Sequence, residues 1–187
     1  MKKNLIVGQS GGPSAAINAT LAGVIAAAQQ DERIGNIYGS RHGIEGVIHD
    51  RVIDLTDFQE FQKLKATPAM ALGSCRCKLP HDLSAQVYQT IDDILKKYNI
   101  GYFLYIGGND SMDTVSKLSK FYEGKTDAPK MIGLPKTIDN DLAGTDHTPG
   151  YGSAAKYLAV TMDELIRDTA IYAVKSVTIV EIMGRHA

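Results

Sequence analysis

The chain has 187 residues, 44% of them hydrophobic and 22% charged, which is ample apolar material for one well-cored domain and excludes wholesale disorder. Twenty basic residues against 21 acidic ones leave a formal net charge of −1, so no overall positive field exists to hold nucleic acid or an anionic membrane. Any anion has to be bound by a local device.

No apolar run approaches the stretch of about 20 residues that crosses a bilayer. The start Met1-Lys2-Lys3-Asn4 leads straight into a strand-like segment rather than a secretory leader, which reads as cytoplasmic. The first apolar run, Leu5-Ile6-Val7, breaks into Gly8-Gln9-Ser10-Gly11-Gly12-Pro13-Ser14, and the Ala-rich residues 15–29 then predict a helix. Strands are expected at 34–38 and 52–55, the latter as a short hairpin strand, with a helix beginning near Asp57. Cys75 and Cys77, the only thiols, are too close to staple a fold and too few for a four-ligand zinc site, so they read as reduced loop thiols.

Residues 84–98 carry Val87, Ile91, Ile94 and Leu95 on a helical stripe that feeds a strand at 102–106. A helix at 110–122, a strand at 130–134, a helix at 152–167 and a last strand at 176–182 complete the predicted order. Repeated β-α-β alternation predicts an α/β fold, Rossmann-like, with a mostly parallel sheet and helices on both faces. Ligands are then expected at the carboxyl ends of the strands, where the glycine-bearing turns cluster.

Three of those turns carry candidate chemistry. Ser10-Gly11-Gly12 follows a strand and opens a helix, so its backbone N–H groups either cradle a phosphate or simply make a tight turn; it matches neither the P-loop nor the dinucleotide fingerprint. Gly107-Gly108-Asn109-Asp110-Ser111 repeats the device. Asn109 or Asp110 either caps the next helix or reaches a hydrated magnesium ion, which prefers one or two carboxylates plus phosphate oxygens. Leu134-Pro135-Lys136-Thr137-Ile138-Asp139-Asn140-Asp141 crowds a cation, two carboxylates and a hydroxyl behind an apolar strand. Phosphoryl transfer needs a base, a cation for the charge on the transferred group and a metal anchor, which Asp139, Lys136 and Asp141 could supply in turn. The five histidines have no metal-binding spacing and read as surface or capping residues.

Gly-Gly-x-Asp-Ser followed by Pro-Lys-Thr-Ile-Asp-Asn-Asp, with Gly-Gly-Pro-Ser near the start and Met183-Gly184-Arg185 near the end, resembles the phosphofructokinase family along almost the whole chain. The resemblance implies that Asp139 is the base for the 1-hydroxyl of fructose 6-phosphate. It further implies that Thr137, Ile138 and Asp139 line the sugar site, that Met183, Gly184 and Arg185 touch the sugar phosphate, and that Gly12, Gly108 and Arg76 meet the phosphoryl donor. Mg2+ is the implied cofactor, near Asn109, Asp110 and Asp141, although many members carry an acid where this chain has Asn109.

Two positions imply the donor. ATP-using members carry glycine at the place of Asp110 and usually at that of Lys136, so the resemblance is to the pyrophosphate-dependent type, with Asp110 repelling an ATP α-phosphate and Lys136 stabilising the transferring group. The expected partners are pyrophosphate and fructose 6-phosphate, with no nucleic acid and no membrane. A homo-oligomer is expected too, favoured by an exposed edge at the last strand. At Ser176 many ATP-using relatives have an arginine that reaches a neighbouring subunit, and here only Lys175 is basic nearby.

Residues 1–187 read as a single donor-binding and base-bearing domain, without the second, sugar-binding region with which relatives continue. An ATP-dependent sugar kinase is the alternative enzyme. A non-catalytic, phosphate-binding regulatory module is the alternative from another class.

Overall fold

The structure is a computed structural model that describes residues 2–182. Its elements in chain order are β1 (Lys3–Gln9), α1 (Ile17–Gln30), β2 (Ile34–Ser40), α2 (Gly43–Ile48), β3 (Val52–Asp54), α3 (Phe61–Ala66), α4 (Gln86–Lys97), β4 (Ile100–Gly107), α5 (Asn109–Tyr122), β5 (Lys130–Pro135) and α6 (Tyr151–Ala170). The strands lie in the order β3-β2-β1-β4-β5, and every pairing is parallel except that of β2 with β3.

β1 is central because it is apolar on both faces, the pattern a parallel sheet covered on two sides demands. Leu5 and Val7 pack with Ile17, Leu21 and Ile25 of α1 and Leu64 of α3 on one face. Ile6 turns to the other, with Phe103 of β4, Ile44 and Val47 of α2, Ile91 and Leu95 of α4, and Val115 and Leu118 of α5. Full burial of each such side chain stabilises the fold by about 1.5–3 kcal/mol. The α/β architecture with helices on both faces is therefore as expected.

The chain leaves β1 for β2 on one side, while β4 lies on the other, so the loops after β1 and β4 part at a topological switch point. The register places Gln9 beside Ile106 and Gly107 beside Pro135, which brings the carboxyl ends of β1, β4 and β5 to one rim.

The sequence expectations need three corrections. Residues 176–182 form no strand: Val177 and Ile179 are each 90% exposed, and a β-prone run becomes a strand only where another strand pairs with it. The expected edge at 176–182 therefore does not exist among the described residues, where β3 and β5 end the sheet. The helix expected near Asp57 begins at Phe61, after a turn in which the Phe58 N–H bonds the Leu55 carbonyl. α2 was not foreseen, since six residues with two glycines are too short to show a helical period.

α6 is 20 residues long with no buried side chain among them. Among the described residues no helix is long and apolar enough to cross a membrane.

Candidate active site

The loops after β1, β4 and β5, together with the Cys75-Arg76-Cys77 segment between α3 and α4, enclose a cleft of ≈ 290 Å³. Its lining includes Gly12, Arg76, Gly108, Asn109, Asp110, Lys136, Thr137, Ile138 and Asp139. The sequence-predicted residues thus converge from four separate segments. Asp141 is not part of the lining, and Met183, Gly184 and Arg185 lie outside the described residues.

Backbone geometry builds the floor. The Ser10 N–H continues the ladder to the Ile106 carbonyl at 2.9 Å, after which Gly11 turns at a φ of 82°, a left-handed conformation that favours glycine. The Ser74 hydroxyl donates to the Gly11 carbonyl at 2.6 Å and fixes the turn. Behind it the Ser10 and Ser111 hydroxyl oxygens meet at 2.7 Å, joining the β1 loop to the first turn of α5. A Cβ at Gly107 would fall 2.1 Å from Ser111 Oγ and 2.6 Å from the Ser10 carbonyl oxygen, so only glycine lets these two loops close on each other.

α5 begins at Asn109, with Gly108 as its N-cap and no side chain capping it. The capping alternative for Asn109 and Asp110 is thereby corrected. Both are exposed residues of the first helical turn, where the positive end of the helix dipole adds to the attraction for an anion.

Lys136 is 7% exposed, and its Nζ donates to the Gly12 carbonyl oxygen at 2.5 Å. Burial pushes its pKa below the usual lysine value, while the Asp139 charge pulls it back up. An ammonium held in this way gains from any phosphate that replaces its single neutral acceptor.

The backbone at Asp139 is held by a network internal to residues 137–150. The Asp139 N–H donates to Thr137 Oγ1 at 3.1 Å, and the Thr137 hydroxyl donates to Asp141 Oδ1 at 2.9 Å. Asn140, at a φ of 53°, accepts the Thr148 N–H and donates to the Asp146 carbonyl, both at 3.0 Å. The Thr148 hydroxyl closes the loop on the Thr137 carbonyl at 2.9 Å. Asp141 thus holds this turn through Thr137, a residue that lines the cleft.

Several positioning residues were not foreseen in the sequence. Buried Gln9 donates to Ile17 O and Asn18 Oδ1 and accepts the Leu72 N–H at 3.0 Å, while Asn18 holds the Thr67 carbonyl and the Ala71 N–H. This polar clamp fixes the segment that leads to Arg76. Tyr105, whose hydroxyl accepts the Ile44 N–H at 2.8 Å, lies 3.8 Å from Cys75 Sγ. Both cysteines are free, and burial, with Cys75 and Glu45 nearby, raises the Cys77 thiol, which makes it a neutral wall rather than a nucleophile. At the rim, Lys78 Nζ stands 3.3 Å from Asp110 Oδ1.

The fold defines the chain as a doubly wound α/β domain with a polar cleft at the carboxyl ends of its strands. The family model described as Phosphofructokinase matches residues 4–187, and the chain belongs to that family. A pyrophosphate–fructose 6-phosphate 1-phosphotransferase of Xanthomonas campestris pv. campestris (strain B100) is 44% identical over 189 residues, 98% of this chain and 45% of that protein. An ATP-dependent 6-phosphofructokinase of Glaesserella parasuis serovar 5 (strain SH0165) is 36% identical over 186 residues, 100% of this chain and 54% of that protein. The crystal structure of a pyrophosphate-dependent phosphofructokinase from Nitrosospira multiformis superposes with a TM-score of 0.83 at 42% identity, covering 90% of this chain and 42% of that one. The chain spans about half the length of the curated relatives it matches.

Proposed function

We propose that the protein transfers a phosphoryl group from pyrophosphate to the 1-hydroxyl of fructose 6-phosphate, and that this chain supplies the donor cleft and the base. The observation that carries the reading is the presence of Asp110 and Lys136 in one small cleft with two glycine loops. A carboxylate at its mouth disfavours a nucleotide's extra phosphate and leaves room for a diphosphate, while a buried ammonium attracts the group in transfer. The higher identity to relatives named for pyrophosphate than to those named for ATP points the same way.

In this reading Asp139 takes the proton of the 1-hydroxyl as its oxygen attacks the nearer phosphorus, and the bond from that phosphorus to the bridging oxygen breaks. One phosphate leaves, and fructose 1,6-bisphosphate forms. Lys136 steadies the charge on the equatorial oxygens, the glycine N–H groups and Arg76 hold the donor, and Thr137 keeps Asp139 oriented. Glycolysis, a cytoplasmic setting and a homo-oligomer belong to the same proposal.

Among the described residues no three acidic, histidine or cysteine side chains converge as a metal cage. The donor set fits an ion that brings water and phosphate ligands with it and needs only one or two protein groups, here Asn109 and Asp110. Magnesium bound there would supply neutralisation of the diphosphate charge.

Calorimetric titration with magnesium pyrophosphate and with magnesium ATP tests the donor. Tighter pyrophosphate binding is expected, with the preference moving towards ATP in Asp110→Gly/Lys136→Gly; an unchanged preference in that variant would sink the selector roles. Asp139→Asn should lower transfer by about 10²–10⁴-fold while leaving pyrophosphate affinity intact.

A further inference from the structure

Lys78 is outside every motif that the family resemblance picks out, yet its ammonium stands 3.3 Å from the Asp110 carboxylate at the mouth of the cleft. Both side chains are 71% exposed, so the pair adds little to folding. Its backbone, in contrast, is tied down. Buried Lys117 of α5 donates to the Leu79 carbonyl at 2.9 Å, and the Tyr88 hydroxyl of α4 donates to the Pro80 carbonyl at 2.6 Å. Leu79 itself is 3% exposed. The two residues that follow Lys78 are thus anchored to two helices, which fixes where a flexible lysine can reach.

Charge gives the position its meaning. Of the charged residues that line the cleft, Arg76 and Lys136 balance Asp110 and Asp139, so the lining alone is neutral. A magnesium-bound diphosphate still carries negative charge, and the phosphate oxygens that the metal leaves uncovered are repelled by a carboxylate at the mouth. Lys78 tips the balance to positive on the side where Asp110 stands.

We propose that Lys78 is a donor-binding residue that partly offsets the Asp110 charge, so that the cleft admits a diphosphate despite the carboxylate at its mouth. Lys117 and Tyr88 act through it as positioning residues. The proposal rests on the pyrophosphate reading above and makes a separate claim about how the selector carboxylate is tolerated.

The test is calorimetric titration of the full 187-residue chain with magnesium pyrophosphate at low salt, for wild type, Lys78→Met, Lys78→Arg, Asp110→Asn and the Lys78→Met/Asp110→Asn double variant. Lys78→Met should weaken binding at least about fivefold and Lys78→Arg by less than about twofold. In the Asp110→Asn background the same Lys78→Met change should cost less than about twofold, because the charge it offsets is gone. An unchanged thermal midpoint for Lys78→Met separates this from a folding defect. Wild-type affinity in Lys78→Met, or an equal loss in both backgrounds, overturns the proposal. A wild-type chain that prefers magnesium ATP overturns the pyrophosphate reading alone if the coupling is present and both if it is absent, and a wild-type chain that binds neither donor overturns both.

Discussion

Lys136 Nζ donates to the Gly12 carbonyl oxygen at 2.5 Å, although 124 residues separate them in the chain. That contact joins the loop after β5 to the loop after β1 within the proposed donor site. Because its acceptor is neutral and its surroundings are buried, the ammonium is held with its charge only partly compensated.

A proton measurement follows from this. Burial sets the Lys136 pKa below the ordinary 10.5, against the opposing pull of Asp139, so the unfolded chain holds this proton more tightly than the folded one. The Lys136 contribution therefore makes stability rise with pH between the depressed value and 10.5. A phosphate arriving at Nζ raises the proton affinity again, and binding at mildly alkaline pH takes protons up. Titration with magnesium pyrophosphate in two buffers of unlike ionisation heat should show fractional uptake in the wild type and markedly less in Lys136→Met. Equal uptake in both would place Lys136 away from the phosphate.

Gly107 offers a steric test of how the cradle is built. Gly107→Ala pushes a methyl group against the Ser10 backbone carbonyl as well as the Ser111 hydroxyl. The serine side chain can be removed, but the carbonyl cannot. Thermal or urea unfolding of Gly107→Ala should show a loss of about 1–3 kcal/mol together with weaker pyrophosphate binding. The double variant Gly107→Ala/Ser111→Ala should recover only part of it. Full recovery would mean that the serine alone, and not the approach of the two loops, requires glycine here.

What could be read in the sequence divides along physical lines. Strand-then-glycine junctions at Val7, Ile106 and Leu134 were legible because an apolar run ending in glycine or proline is a local signal, and the parallel sheet then brings those junctions to one rim. The roles given to Asp139, Lys136 and Asp110 came from family resemblance as much as from chemistry. Their meeting in one cleft with Arg76 depends on an irregular connection with no period to read. Gln9, Asn18, Lys78 and Lys117 were illegible for the same reason, since each works through partners 8 to 63 residues away. The run at 176–182 was misread because strand propensity is local and strand formation is not.

Asp92 carries the last prediction, away from the cleft. Its side chain, 8% exposed, accepts from Lys96 Nζ at 2.6 Å and from the Tyr122 hydroxyl at 3.0 Å, which ties α4 to α5. Burial, the largest single influence, pushes its carboxyl up, but the hydrogen bonds from Lys96 and Tyr122 and the charges of Lys96 and Lys125 together hold it below 3.8. A depressed carboxyl in the folded state contributes stability that is fully present above the unfolded value and is lost as pH falls through the folded one. Urea midpoints of the wild type should therefore be level above about pH 5 and fall steeply below about pH 4. Asp92→Asn should cost about 1–2 kcal/mol at neutral pH, because two charge-assisted bonds weaken, and should flatten the acid limb. If the two proteins lose stability in parallel as the pH falls, the acid sensitivity resides in other carboxylates and the α4–α5 tie does not depend on the Asp92 charge.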